Sequence, residues 1–121
     1  VVIPANHEGN LMQYVSSLER IRDLNPPCVL PAHGEEIDDV AGLIDHYLEH
    51  RRRRDDEILS ALKGIGGAGT ELDIVAVVYK GLNNNLQKAA SETVLAHLYK
   101  LEIEGRVHKS SEQNVDVWEC K

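Results

Sequence analysis

At 121 residues, with 42% apolar and 27% charged residues and a formal charge of −7, the chain has the composition of one ordinary globular domain or two small modules. That excludes the disordered, collagen-like and disulfide-built classes. No apolar run reaches the roughly 18–20 uncharged residues that a membrane span needs, and no basic-then-apolar leader opens the chain, so the expectation is a cytoplasmic protein with no membrane partner. Cys28 and Cys120 lie far apart without a CxxC spacing and read as two free thiols. The opening Val1-Val2-Ile3-Pro4 reads like the interior of a longer chain, and a fragment is expected. The charge is −5 over residues 1–63 and −2 over residues 64–121. Neither half has the basic excess of a nucleic-acid module, and the one concentrated positive run is Arg51-Arg52-Arg53-Arg54.

In chain order, Asn10 is placed to cap a helix in which Leu11, Tyr14, Val15, Leu18, Ile21 and Leu24 recur at three- and four-residue spacing, which predicts one buried face. Asn25-Pro26-Pro27 ends it, because proline disfavours the helical region for the residue before it. Cys28-Val29-Leu30 then predicts a short buried strand stopped by Pro31, and Ala32-His33-Gly34 follows at the strand end where open α/β folds place ligands. From Asp39 to Lys63 the pattern predicts one long helix, apolar at Val40, Leu43, Ile44, Tyr47 and Leu48, wet from Arg51 to Glu57, and apolar again at Ile58, Leu59 and Leu62. At about 1.5 Å per residue it spans roughly 37 Å, too long for one small core, so each end is expected to pack on a different body.

Gly64 to Gly69 predicts a loop. A short helix follows, opened by Thr70-Glu71-Leu72-Asp73, then a turn at Gly81 to Asn85 and a helix from Leu86 to Glu104 closed by Gly105. Arg106 to Lys109 and Val115 to Glu119 alternate as the strands of a hairpin would. Three helices and a hairpin is the order of a winged helix. On the last helix, Leu86, Ala90, Val94, His97, Leu98 and Leu101 form the predicted core face. Leu95, Tyr99 and Ile103 form a second apolar stripe on the opposite side, where a DNA reader would spend Arg, Lys, Asn and Gln. That stripe predicts packing against another body rather than base reading, and His97 is expected to be a structural histidine with its hydrogen bonds satisfied.

Two features could carry chemistry. A neutral imidazole at His33 could ligate a metal, with Gly34 giving the backbone room to turn, yet one histidine is not a site, since zinc needs three or four N, S or O donors. The Arg51–Arg54 run could steer a polyanion. On a helix, though, Arg51, Arg52 and Arg53 stand four residues from Asp55, Asp56 and Glu57, which predicts local ion pairs and a solvated face.

The stretch from Leu11 to Leu59, with Pro31-Ala32-His33-Gly34, His50-Arg51 and then the winged-helix pattern, resembles the C-terminal part of metallo-beta-lactamase-fold hydrolases of the lactamase-beta-like endoribonuclease group. Their hallmark is a late PGHG loop, a helix ending in a His-Arg pair, and a small winged helix. This chain departs from the loop pattern with Ala32 where the family usually has Gly. The resemblance implies a mainly α chain with short β: residues 1–50 as the C-terminal piece of an αββα metallo-beta-lactamase fold, and residues 51–121 as a winged-helix-like domain. It implies His33 as a ligand to the second of two zinc ions. The His-x-His-x-Asp-His motif that completes such a centre has no counterpart in this sequence, so the expectation is an inactive piece of a zinc-dependent hydrolase. The implied partners are the N-terminal catalytic half and single-stranded RNA, the latter contacting Arg51, Arg52, Arg53 and Arg54. Self-association through the uncovered faces of residues 1–50 is expected as well. The alternative of another class is a stand-alone winged-helix module that binds nucleic acid or protein.

Overall fold

A computed structural model describes residues 10–31 and 34–121. Helix α1, Leu11–Leu24, starts where the Asn10 side chain accepts a hydrogen bond from the Gln13 amide. It stops at Asn25, which takes a left-handed conformation (φ 47°) ahead of the two prolines. Its apolar stripe is only partly covered. Leu11 is buried and Tyr14, Val15 and Leu18 are half-buried, but Ile21 and Leu24 are exposed, Leu24 by 75%. The single buried face expected from the spacing therefore holds for the first half of the helix alone.

The expected strand at Cys28–Leu30 does not form. Val29 instead makes one antiparallel bridge with Ile37, its N–H donating to the Ile37 carbonyl at 3.0 Å and its carbonyl accepting in return at 2.9 Å, and Leu30 is 81% exposed. A strand is stabilised by neighbours on its edges, and the Ile37 turn is the one neighbour these residues find among the described part of the chain.

Helix α2, Val40–Gly64, is capped by Asp39, whose carboxylate accepts from the Gly42 amide. As its length requires, it serves two clusters. Val40, Ile44 and Leu48 pack with Val15, Leu18, Val29 and Ile37. Ile58, Ala61 and Leu62 enter a larger core with Ile74, Val75, Ala90, Val94, Leu98, Leu101, Val107 and Trp118. The middle is wet on its outer side only: Arg52, Arg53, Asp56 and Glu57 are exposed as their charges predict, but Arg51 is 6% and Asp55 3% exposed. Ile44, Leu48, Arg51, Asp55, Ile58 and Leu62 follow one another at spacings of four and three, so a single inward stripe runs the full helix and carries two charged residues through its centre.

Gly66 and Gly67, both at positive φ, turn the chain so that the Gly67 carbonyl accepts from the Cys120 amide at 2.9 Å. The loop thus becomes a strand: β1, Ala68–Gly69, pairs with the end of the hairpin, a pairing that the glycine-rich composition concealed. Helix α3, Glu71–Val78, opens with a reciprocal capping box between Thr70 and Asp73, which satisfies two amides that the first turn leaves unpaired. A 3-10 turn at Asn84–Leu86 leads into helix α4, Gln87–Ile103. Leu86 lies in that turn and is 53% exposed rather than part of the core face.

Strands β2, Val107–Glu112, and β3, Val115–Cys120, form the hairpin, and the sheet order is β1-β3-β2. Its two-residue turn places Gln113 and Asn114 at φ 50° and 67°, the both-positive geometry whose twist suits a tight hairpin. Trp118 seals the sheet onto the helices and meets Tyr99 edge-on at 5.5 Å. Leu95 and Tyr99 also pack against this core. The second stripe of α4 is therefore not an opposite, free side, and Ile103, 66% exposed, borders a small cleft against Leu11 and Met12 at the start of α1.

Candidate functional site

His33 and Ala32 lie outside the described residues, so the metal-ligand expectation has no geometry to set beside it. Of the loop's neighbours, Gly34 has a φ of 104° with open space where a Cβ would stand, a conformation that favours glycine. Among the described residues no group of three His, Cys, Asp or Glu side chains converges closely enough to hold a metal ion. The described residues therefore do not by themselves fit a metal centre. Nor does Cys28 offer a reactive sulfur. A hydrogen bond with Glu36, followed by burial and the Asp38 charge, raises its pKa, and the protonated thiol is a poor nucleophile.

The four arginines do not act alike. Arg51 turns inward and lies over the Tyr14 ring at 5.0 Å, pinning α1 to α2. Arg52 pairs with Glu49 at 3.1 Å and Arg54 with Glu57 at 2.6 Å, both three residues away, and Arg54 also covers the Tyr79 ring at 4.7 Å. The i,i+4 pairs expected from the sequence are replaced. Asp55 turns to α4, and Asp56 faces Arg106 at 3.9 Å. Arg53 makes no ion pair among the described residues and borders a groove of about 560 Å³ between α2 and α3. Within the run, the exposed cations are thus Arg52 and Arg53. Beside it, Tyr14, His46, Tyr47, His50 and Arg51 line a small cleft of about 150 Å³. Burial, then the charges of Arg54, Arg51 and Arg53, lower the His50 pKa and disfavour its charged form.

The residues that sequence reasoning missed lie where α2 crosses α4. Asp55 Oδ1 sits 2.6 Å from His97 Nδ1, and its Oδ2 accepts from Lys100 Nζ at 2.8 Å. Lys100 Nζ also donates to Glu104 at 3.0 Å. Burial raises the Asp55 pKa, but the hydrogen bonds from His97 and Lys100 outweigh it and the net shift is downward. Lys100 moves upward for the matching reason: burial opposes its charge and the bonds to Asp55 and Glu104 prevail. Among the described residues His97 Nε2 is buried without a hydrogen-bond partner, so within that part of the chain the expected satisfied histidine is satisfied at one nitrogen only. The signal was present in the sequence, since the four-and-three spacing of the α2 core stripe passes through Arg51 and Asp55, and a charged residue on a core stripe demands a buried partner. The cluster is a structural clasp between α2 and α4, with Asp55 and His97 buried at its centre and Lys100 and Glu104 reaching out toward the surface.

This order of helices with a three-stranded sheet is that of a winged helix, and residues 70–118 match the family model described as the beta-lactamase associated winged helix domain. The chain is 38% identical over 113 residues to the Beta-lactamase-like protein 2 homolog of Drosophila melanogaster, covering 91% of this chain and 39% of that protein. In structure it is similar to a beta-lactamase domain protein from Burkholderia ambifaria, with a TM-score of 0.76 at 23% identity over 92% of this chain and 33% of the other. A metallo-beta-lactamase family protein from Thermus thermophilus gives a TM-score of 0.72 at 22% identity, covering 92% of this chain and 33% of that one. The chain corresponds to the C-terminal, winged-helix-bearing part of a metallo-beta-lactamase-fold protein, and it spans about two fifths of the length of the fly relative. No described helix is long and apolar enough to cross a membrane.

Proposed function

We propose that this chain serves a two-zinc hydrolase whose substrate is single-stranded RNA, with residues 1–50 closing the catalytic domain and residues 51–121 forming its winged-helix appendage. The observation that carries the reading is the likeness of 91% of the chain to a beta-lactamase-like protein, with Pro31-Ala32-His33-Gly34 standing directly before the long helix. In this reading His33 supplies one imidazole ligand to the second zinc, and the remaining ligands come from a catalytic half that this sequence does not contain. Bound zinc would polarise the scissile phosphodiester and activate water. The chain's own contribution is electrostatic and positional. Arg52 and Arg53 present charge to a phosphate backbone, and Arg51 holds α1 against the helix that follows the metal loop. The exposed Leu24 and Leu30 would lie against the catalytic half, and in its absence they favour self-association.

The test is made on the protein joined to its catalytic half. We expect two zinc ions per protomer by elemental analysis, cleavage of single-stranded RNA, and loss of one zinc and of cleavage on His33→Ala. Retention of both zinc ions and full activity in that variant would remove His33 from the site. A zinc-loaded protein that leaves RNA intact but hydrolyses a thioester or lactone would keep the metal assignment and overturn the substrate, because the fold alone does not choose among these substrates.

A further inference from the structure

The winged helix carries a groove that neither its own packing nor the proposed hydrolysis uses. One cleft of about 340 Å³ lies between the start of α3 and the hairpin tip, and a second of about 300 Å³ continues it along the outward side of α4. Both are bordered by Glu71, Leu72 and Leu95, so they form one trough. Two of its apolar residues are open to water, Leu72 at 60% and Val115 at 50% exposed, beside a half-buried Leu95, although the same domain buries eleven residues in its core. Its rim is acidic, with Glu71, Glu92 and Asp116 against a single cation, Lys88.

We infer that this trough is a docking site for a protein partner that presents a cationic amphipathic helix. The outward side of α4 is where a helix-turn-helix reader places its base contacts, and three carboxylates there repel a phosphate backbone. The same charges complement Lys and Arg flanking an apolar stripe, which sets both the sign of the partner and its register. An apolar floor between two helices receives the ridge of a third, with anchors at three- and four-residue spacing. The two anchors would be leucine-sized side chains, one on Leu72 and Val115 and one on Leu95. The inference stands whether or not the parent cleaves RNA, because no residue of the metal loop or of the arginine run takes part.

The 121-residue chain can be titrated with an 18-residue helical peptide bearing leucines on one face and lysines beside them, and in parallel with its lysine-to-glutamate counterpart and a single-stranded RNA, while amide shifts are followed by NMR. We expect saturable binding of the lysine peptide alone, with shifts centred on Leu72, Glu92, Leu95 and Val115. Leu72→Ser should weaken it by about tenfold. The triple variant Glu71→Lys, Glu92→Lys, Asp116→Lys should lose it and gain the glutamate peptide. Leu72 and Asp116 are exposed and Glu71 and Glu92 half-buried, none of them in the core, and unchanged spectral dispersion confirms that each variant is folded. Shifts scattered over other acidic surfaces, equal binding by the triple variant, RNA shifts at the trough, or a Leu72-dependent dimer of the chain itself would each overturn the inference.

Discussion

Two regions share helix α2 but are built very differently. The winged helix gathers eleven buried residues from three helices and two strands around Trp118, and its helix α3 opens on a capping box. The region before it buries Val40, Ile44 and Leu48, leans α1 on them, and leaves Leu24 and Leu30 largely in water. Burial of apolar area scales with the number of elements that can face one another, and one helix lying on the start of another offers little. Helix α2 is thus a strut that belongs to both regions. It is anchored at one end by a complete core and at the other by a partial one, with Arg51 and Asp55 fixing its rotation between them.

The largest effect should come from the complete core. Trp118→Ala removes a fully buried ring from the centre of the sheet and should destabilise the winged helix by about 3–5 kcal/mol, read as a lower urea midpoint. A loss under about 1 kcal/mol would mean that the core is not organised around that ring. Next comes the clasp. Asp55→Ala strands His97 and Lys100 in a buried place and should cost about 2–3 kcal/mol. Because Asp55 titrates below its ordinary 3.8 in the folded state, its contribution is present above that pH and lost as pH falls through the lower, folded value. Lys100, raised above 10.5, adds stability below that pH and loses it as pH rises beyond. Urea midpoints from about pH 2 to about pH 7 should therefore show an acid limb that Asp55→Asn flattens. An unchanged limb would move its origin to other carboxylates.

A smaller effect should separate the two regions. Arg51→Ala removes the cation over Tyr14 and should release α1 by about 1–2 kcal/mol, seen as faster amide exchange across Leu11–Leu24 with α3 and α4 unchanged. Equal acceleration in both regions would make α1 part of the winged-helix unit. Smallest in stability is the double variant Arg52→Glu, Arg53→Glu, expected within about 0.5 kcal/mol of the parent because exposed pairs contribute little. If the arginine surface contacts RNA in the joined protein, the same variant should weaken RNA binding and flatten its salt dependence. Binding left intact would place the phosphate contacts elsewhere.

Much of this architecture was legible from sequence alone. Asn10, Asp39 and Thr70 cap the helices they precede, Asn25-Pro26-Pro27 and Gly105 end helices as their backbone preferences require, and alternation marked the hairpin. These are local effects, decided by a residue and its near neighbours. The order of elements, the resemblance carried by Pro31 to Gly34 and His50-Arg51, and the lack of a basic excess were likewise in the sequence. What depended on the third dimension was every choice among distant partners. Cys28–Leu30 has the composition of a buried strand, but strand formation needs an edge to pair with, and the described chain brings only Ile37. Ala68–Gly69 reads as loop, yet the end of β3 supplies the missing edge. Asp55 had two possible cations along its own helix, Arg51 and Arg52. It takes His97 and Lys100 instead, because the core stripe turns it toward α4, and in a buried place a carboxylate is held only by partners that arrive buried with it.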